Sequence, residues 1–270
     1  MKTRNFLMNL ILIGINFTSY GQIIPDSIFS NLNINDITTN ILYDKCMRFG
    51  NADSLSMINS EAISQDRFRQ ILLEMKRCSL NSSAAVCSLD SLTAMLNKDL
   101  LLGLNPIMIL NYQYNEIAEF VIDSNLLNII NGKFYDVGER IQTPYKTNQI
   151  FLSCPGVSIN RDTIARFYLD EKFLFTNTLD SILEIQIDFD DGIGYRTMYF
   201  GDTIQITYLA LDTFNIKIQV IFENFNGYSQ SDFKEAGDGW EDDIFDERHQ
   251  ITATLSYDGL PPASGLFTIN

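Results

Sequence analysis

The sequence predicts an α+β protein, with a small N-terminal helical region followed by an antiparallel β-sandwich. Three observations lead there. Apolar residues recur at helical spacing through the first hundred residues, as at Phe68, Ile71, Leu72 and Met75. From residue 149 the period shortens to strand-like alternation, broken by frequent turn signals. Charge divides the chain in the same way: residues 22–147 carry 14 acidic and 10 basic side chains, residues 148–270 carry 20 and 7.

The N-terminus reads as a signal peptide over residues 1–21. Lys2 and Arg4 precede an apolar stretch over residues 6–15, and Ser19-Tyr20-Gly21 places small residues at a cleavage site before Gln22. That stretch is too short for a spanning helix, and no later segment is long and apolar enough for one. The mature chain is therefore expected to be secreted, periplasmic or at the cell surface, without a transmembrane segment.

Residues 22–105 form the expected helical region. Asn35-Asp36 offers a cap for a helix reaching about Arg48, with Ile37, Ile41 and Cys46 at apolar spacing. Ser64 caps a second helix ending near Cys78. Ser88 or Asp90 caps a third, whose stripe is Leu92, Met95, Leu96 and Leu100, stopped by Gly103 and Pro106. Residues 106–147 read as a mixed connecting segment. It opens with an alternating strand from Pro106 and continues through a short helix or turn ending at Asn131-Gly132.

The sandwich is placed at residues 148–258, with strands at 149–153, 163–168, 172–177, 182–189, 196–200, 203–209, 214–222 and 250–257. Residues 182–189 put Glu184, Gln186 and Asp188 opposite Leu183, Ile185, Ile187 and Phe189, one wet face and one buried. Residues 259–270, with Gly259-Leu260-Pro261-Pro262, read as a linker or the start of a further module.

The net charge of −15 repels phosphate backbones and anionic lipid, which argues against a nucleic-acid partner. Cys46, Cys78, Cys87 and Cys154 permit three pairings in an oxidising compartment. The short loop between Cys78 and Cys87 makes them the preferred pair, leaving Cys46 and Cys154 to pair or remain thiols. The spacings lack the tight unit of a structural zinc site.

Two acidic groups invite a calcium reading. Asp188, Asp190 and Asp191 cluster at a strand end, where their oxygens could hold Ca²⁺ or fix the turn by accepting backbone hydrogen bonds. Asp238, Asp242 and Asp243 lie in the densest acidic segment, beside Trp240, a candidate sugar platform or a staple for the loop. Nucleophilic hydrolysis finds no motif: Pro262-Ala263-Ser264-Gly265 is not a nucleophile elbow, and the single His249 has no triad partner.

Three segments share an order and spacing with one family. They are Ile187-Asp188-Phe189-Asp190-Asp191-Gly192, then Ile206-Thr207-Tyr208, then Asp212-Thr213-Phe214-Asn215-Ile216-Lys217-Ile218-Gln219-Val220. Together they resemble a PKD-type, immunoglobulin-like domain over about residues 163–222. Ile187 stands where that family usually has Trp, Asp190 where it has Gly, and Ile206 at its His-like position. The segment before Gln22 and the Asn- and Ile-rich acidic composition resemble exported proteins of Bacteroidota. The resemblance implies a noncatalytic extracellular module for binding, adhesion or spacing, with an extracellular protein or glycan as partner. The alternative is the N-terminal accessory region of a larger secreted hydrolase.

Overall fold

Two helices and two multi-stranded sheets make up the α+β fold of the computed structural model, which describes residues 26–46, 52, 55–80, 86–140, 142–160, 163–209 and 212–235. None of the described helices is long and apolar enough to cross a membrane.

Helix α1 (Gln65–Cys78) starts where the expected cap stands, with the Ser64 hydroxyl accepting from Arg67 N at 3.1 Å. It buries Phe68, Ile71, Leu72, Met75 and Cys78. Helix α2 (Leu89–Leu100) takes Ser88 as its cap, through Ser91 N at 3.1 Å, and buries Leu92 and Leu96. The helix expected from Asn35 does not form. Short 3-10 turns at Ile34–Asp36 and Tyr43–Lys45 stand in its place. The reason lies in where the backbone bonds go: Leu42 N donates to Cys78 O, and Ile41 O accepts from Asn115 N, so the segment pairs outward instead of with itself. Asn40, at φ +58°, also breaks any helical run.

The strands are β1 (Ile58–Ala62), β2 (Asn105–Ile117), β3 (Leu127–Ile130), β4 (Lys133–Asp136), β5 (Tyr145–Pro155), β6 (Ile159–Asn160), β7 (Ile164–Tyr168), β8 (Leu174–Thr176), β9 (Ile182–Asp188), β10 (Arg196–Met198), β11 (Thr203–Thr207), β12 (Thr213–Phe222) and β13 (Asn226–Glu235). One sheet runs β1-β13-β12-β9-β10, with β6 also on β13. The second runs β11-β7-β2-β5, with β8 also on β2. Both are mixed, which corrects the expectation of antiparallel sheets: β1 and β6 lie parallel to β13, and β7 and β8 lie parallel to β2. The parallel partners are all short strands that reach the long ones through connections outside the sheet.

The boundary expected between residues 147 and 148 falls inside β5. Strand β5 pairs with β2 over its whole length, from Ile107–Pro155 to Ile117–Tyr145. The expected connecting segment thus supplies the central strand of the second sheet. Leu127 to Asp136 is a hairpin, not a short helix. Asn131 and Gly132 sit at φ +51° and +73°, as a two-residue type I′ turn requires.

Because β2 and β5 are covered on both sides, their two faces serve different clusters. Met108, Leu110, Tyr112, Ile150, Leu152 and Cys154 pack with α1 and α2. Ile107, Ile109 and Phe151 pack with Phe167, Ile185, Ile187, Ile216, Ile218, Val220 and Phe233 between the sheets. A smaller cluster joins Phe29, Leu32, Val121 and Leu127 to Phe134 of the hairpin, where Phe29 and Phe134 stack at 5.7 Å.

The disulfide links Cys46 to Cys78, with Cα atoms 5.6 Å apart; Cys87 is a half-buried thiol and Cys154 a buried one. The preference for Cys78–Cys87 is therefore corrected, as is the companion pair Cys46–Cys154. Short loop length guided that preference, but the Tyr43–Lys45 turn runs against the last turn of α1 and carries Cys46 to Cys78. Burial raises the thiol pKa of Cys87, opposed by nearby Lys76.

Candidate functional site

Strand β9 delivers Asp188 to its end, and the chain then turns through Asp190 (φ +58°) and Gly192 (φ +82°). Each nominated carboxylate is engaged there. Asp188 Oδ1 accepts from Asp190 N at 3.0 Å. Asp190 Oδ2 accepts from Asn215 N at 2.9 Å, tying the turn to the start of β12. Asp191 Oδ1 accepts from Ile193 N at 3.3 Å and is ion-paired with Arg196. Lys217 Nζ lies 3.7 Å from Asp188 Oδ2.

Beneath the turn, Phe189 is fully buried. The Arg196 guanidinium lies over its ring at 5.2 Å, and the Tyr208 hydroxyl donates to its carbonyl at 2.9 Å. The arrangement uses its acids to hold a left-handed turn closed against a core aromatic. Among the described residues, no three His, Cys, Asp or Glu side chains form a metal-holding group. Asp238, Trp240, Asp242, Asp243 and His249 lie outside the described residues.

Other buried acids are also partnered. Asp99, 4% exposed, receives the Tyr168 hydroxyl and Lys172 Nζ, the latter at 2.8 Å. Burial, together with the bond to Asp99, pushes Tyr168 up to about 12. Burial draws Lys172 down, but its bonds to Asp99 and Tyr168 outweigh this and hold its ammonium above the ordinary value. The group pins the end of α2 to the segment between β7 and β8. In the same manner, Glu74 accepts from the Tyr43 hydroxyl at 2.9 Å, whose oxygen accepts from Ala52 N at 2.8 Å. Arg140 bridges Asp36 and Asp136 beside the hairpin.

A surface that sequence reasoning did not nominate lies next to the acidic turn, on the outer face of the β1–β13–β12–β9–β10 sheet. The register places Thr197, Gln186, Gln219 and Tyr228 side by side across four strands. Thr197 and Gln186 both donate to Glu184 Oε1, at 2.7 and 2.9 Å, and these bonds hold its carboxyl below the usual range. Tyr195, just before β10, is 44% exposed and Tyr199, just after it, 66%. Burial first, then Tyr228 and Asp188, push Tyr195 up to about 12. The period-two signal in β9 and β12 identified the wet face. Its partner strand β13 and the tyrosines flanking β10 escaped, so the surface was not assembled.

Comparison with protein-family models, with curated proteins and with solved structures found no match in any of the three.

Proposed function

We propose that the protein is an exported, noncatalytic module for binding, adhesion or spacing, built on a PKD-like, immunoglobulin-like pair of packed sheets. The observation that carries this reading is the state of the acidic turn. Asp188, Asp190 and Asp191 accept from Asp190 N, Asn215 N and Ile193 N, with Arg196 and Lys217 alongside, so their role is to shape the fold. A general base or a nucleophilic pair needs a carboxylate free to meet substrate.

The PKD-like part is supported by how the three motif segments sit together. Asp188 pairs across from Lys217, Ile187 from Ile218, and Tyr208 reaches back to Phe189. Export is supported by the charged and apolar N-terminal residues.

The test is a turnover and localisation experiment. Cells expressing the chain are fractionated, and the purified protein is incubated with polysaccharide and peptide panels while products are followed by mass spectrometry. The expected result is protein outside the cytoplasm and substrates left intact. Turnover that disappears with Asp188→Asn or Asp190→Asn would overturn the noncatalytic reading, and retention of the protein in the cytoplasm would overturn the exported one.

A further inference from the structure

We propose that residues 250–257 of this chain, which lie outside the described residues, dock as an antiparallel strand on the open edge of β11 and complete the second sheet.

The open edge has a defined pattern. Among the described strands, β11 ends its sheet and pairs with β7 alone. Leu169 N donates to Asp202 O and Tyr208 N to Thr163 O, in the same register that pairs Thr203 with Tyr168 and Thr207 with Ile164. Those bonds set the alternation. Asp202, Ile204, Ile206 and Tyr208 turn their backbone groups toward β7, so Thr203, Gln205 and Thr207 turn theirs outward. The side chains keep the same period: Ile206 and Tyr208 are buried between the sheets, while Thr203, Gln205 and Thr207 are exposed. Charge and proline, the usual guards of an exposed edge, are absent from Thr203–Thr207. The opposite side of the sandwich is already closed by the segment before β1: Phe151 N of β5 donates to Ser56 O, and Tyr228 N of β13 to Met57 O. The neighbouring edge strand β10 holds only three residues.

Sequence and reach commit this edge to residues 250–257. Gln250-Ile251-Thr252-Ala253-Thr254-Leu255-Ser256-Tyr257 carries no charged side chain, although the residues just before it are dense in acids. Ile251, Ala253, Leu255 and Tyr257 alternate with Thr252, Thr254 and Ser256, which repeats the alternation of β11 itself. Laid antiparallel with its apolar residues inward, the segment sets Thr252, Thr254 and Ser256 against Thr207, Gln205 and Thr203, whose N–H and C=O groups then find partners. Glu235 pairs with Asn160, and Ile164 with Thr207. Two strand spacings and the chain from Asn160 to Ile164 therefore bound the distance from Glu235 to Thr207 at on the order of 25 Å. The chain from Glu235 to Gln250 can extend about 50 Å. It reaches the Thr207 end of β11 first and continues toward Thr203, which makes the pair antiparallel. A second copy is disfavoured as the occupant: two chains of net charge −15 repel, whereas a tethered segment acts at about millimolar effective concentration.

Amide hydrogen exchange of the intact labelled chain, read residue by residue by NMR, tests this. Thr203, Gln205 and Thr207 should exchange on the order of a hundredfold more slowly than unpaired amides. Thr252, Thr254 and Ser256 should be protected with them, and Ile251, Ala253 and Leu255 should exchange fast. Thr254→Pro, which removes a donor, should return Thr203, Gln205 and Thr207 to fast exchange. Ile204 and Ile206, bonded to β7, should stay protected and show that the fold stands. Ser264→Pro, beyond the segment, should change nothing.

Fast exchange at Thr203, Gln205 and Thr207 in the unsubstituted chain overturns the proposal, with no variant needed. So does protection there that survives Thr254→Pro, or protection of Ile251, Ala253 and Leu255 in place of their neighbours. Protection that grows with protein concentration would give the edge to a second copy and also overturn it.

Discussion

Asp190 holds a backbone conformation that few non-glycine residues accept, and its side chain is the acceptor that fastens the turn to β12. Asp and Asn tolerate the left-handed region through local hydrogen bonding, whereas Ala does not. Asp190→Ala should therefore cost about 1–2 kcal/mol in denaturant unfolding and Asp190→Asn well under half of that. Because the turn is closed by backbone N–H groups and two cations, these losses should be the same in EDTA as in Ca²⁺. A Ca²⁺-dependent difference would show that the ion enters here. Tyr168 and Tyr195 contribute on the alkaline side, alongside Tyr112 and Tyr145, whose hydroxyls burial pushes up further. The folded values of Tyr168 and Tyr195, about 12, lie above the ordinary value of 10.0. A raised folded pKa means the folded state keeps a proton that the unfolded state gives up. The stabilisation is complete below pH 10 and drains away as pH rises from 10 to 12. Phenolate absorbance should accordingly show late-titrating tyrosines that ionise together with loss of far-ultraviolet circular dichroism. Tyr168→Phe should reduce the amplitude of that late step.

Strand β13 shows why one element can be plain in a sequence and its neighbour hidden. Helices α1 and α2 announce themselves by apolar spacing and serine caps, and β9 and β12 by alternating Ile and Val with polar residues. The inward positions of β13 are Gly227, Ser229, Ser231 and Phe233, three of them too small to register as a buried stripe. Their size is set by β5, which belongs to the other sheet. The Ser229 hydroxyl donates to Ser153 O at 2.9 Å, and a Cβ at Gly227 would fall 2.6 Å from the Phe151 ring. The opening Asn226-Gly227 looks like a turn, and nothing local betrays the ring above it. Gly227→Ala should destabilise by about 1–3 kcal/mol, since Phe151 is fully buried and cannot swing into free space. Gly132→Ala, where a Cβ meets nothing within 4 Å, should cost only its positive φ, about 1 kcal/mol. Comparing the two by thermal unfolding separates crowding from backbone strain. The same hidden strand concealed the outer face, because Tyr228 belongs to it. The acidic turn was legible from its residues alone, since Asp and Gly there act on their own backbone.

At the scale of the molecule, distant parts of the chain are joined by a covalent link and by non-local pairing. The Cys46–Cys78 bond closes a loop of 32 residues' separation around the segment leading into α1. Chain entropy alone assigns it about 3–4 kcal/mol. Non-reducing peptide mapping should recover the Cys46–Cys78 cross-link, with Cys87 alkylated in the native protein and Cys154 only after unfolding. Reduction should lower the unfolding midpoint by the corresponding amount, and a map showing Cys78 joined to Cys87 would refute the arrangement. Pairing within the β1–β13 sheet was beyond local reading for a plain reason: Ile58 of β1 finds its partner in Tyr228, far along the chain. That parallel contact also has a temporal meaning. A polypeptide emerging N-terminus first can close the Cys46–Cys78 loop and form both helices early, but β1 must wait unpaired until β13 arrives. Through that interval the face of β2 and β5 that carries Ile107, Ile109 and Phe151 is only partly covered, and the two sheets lock together when β13, the last described strand, arrives.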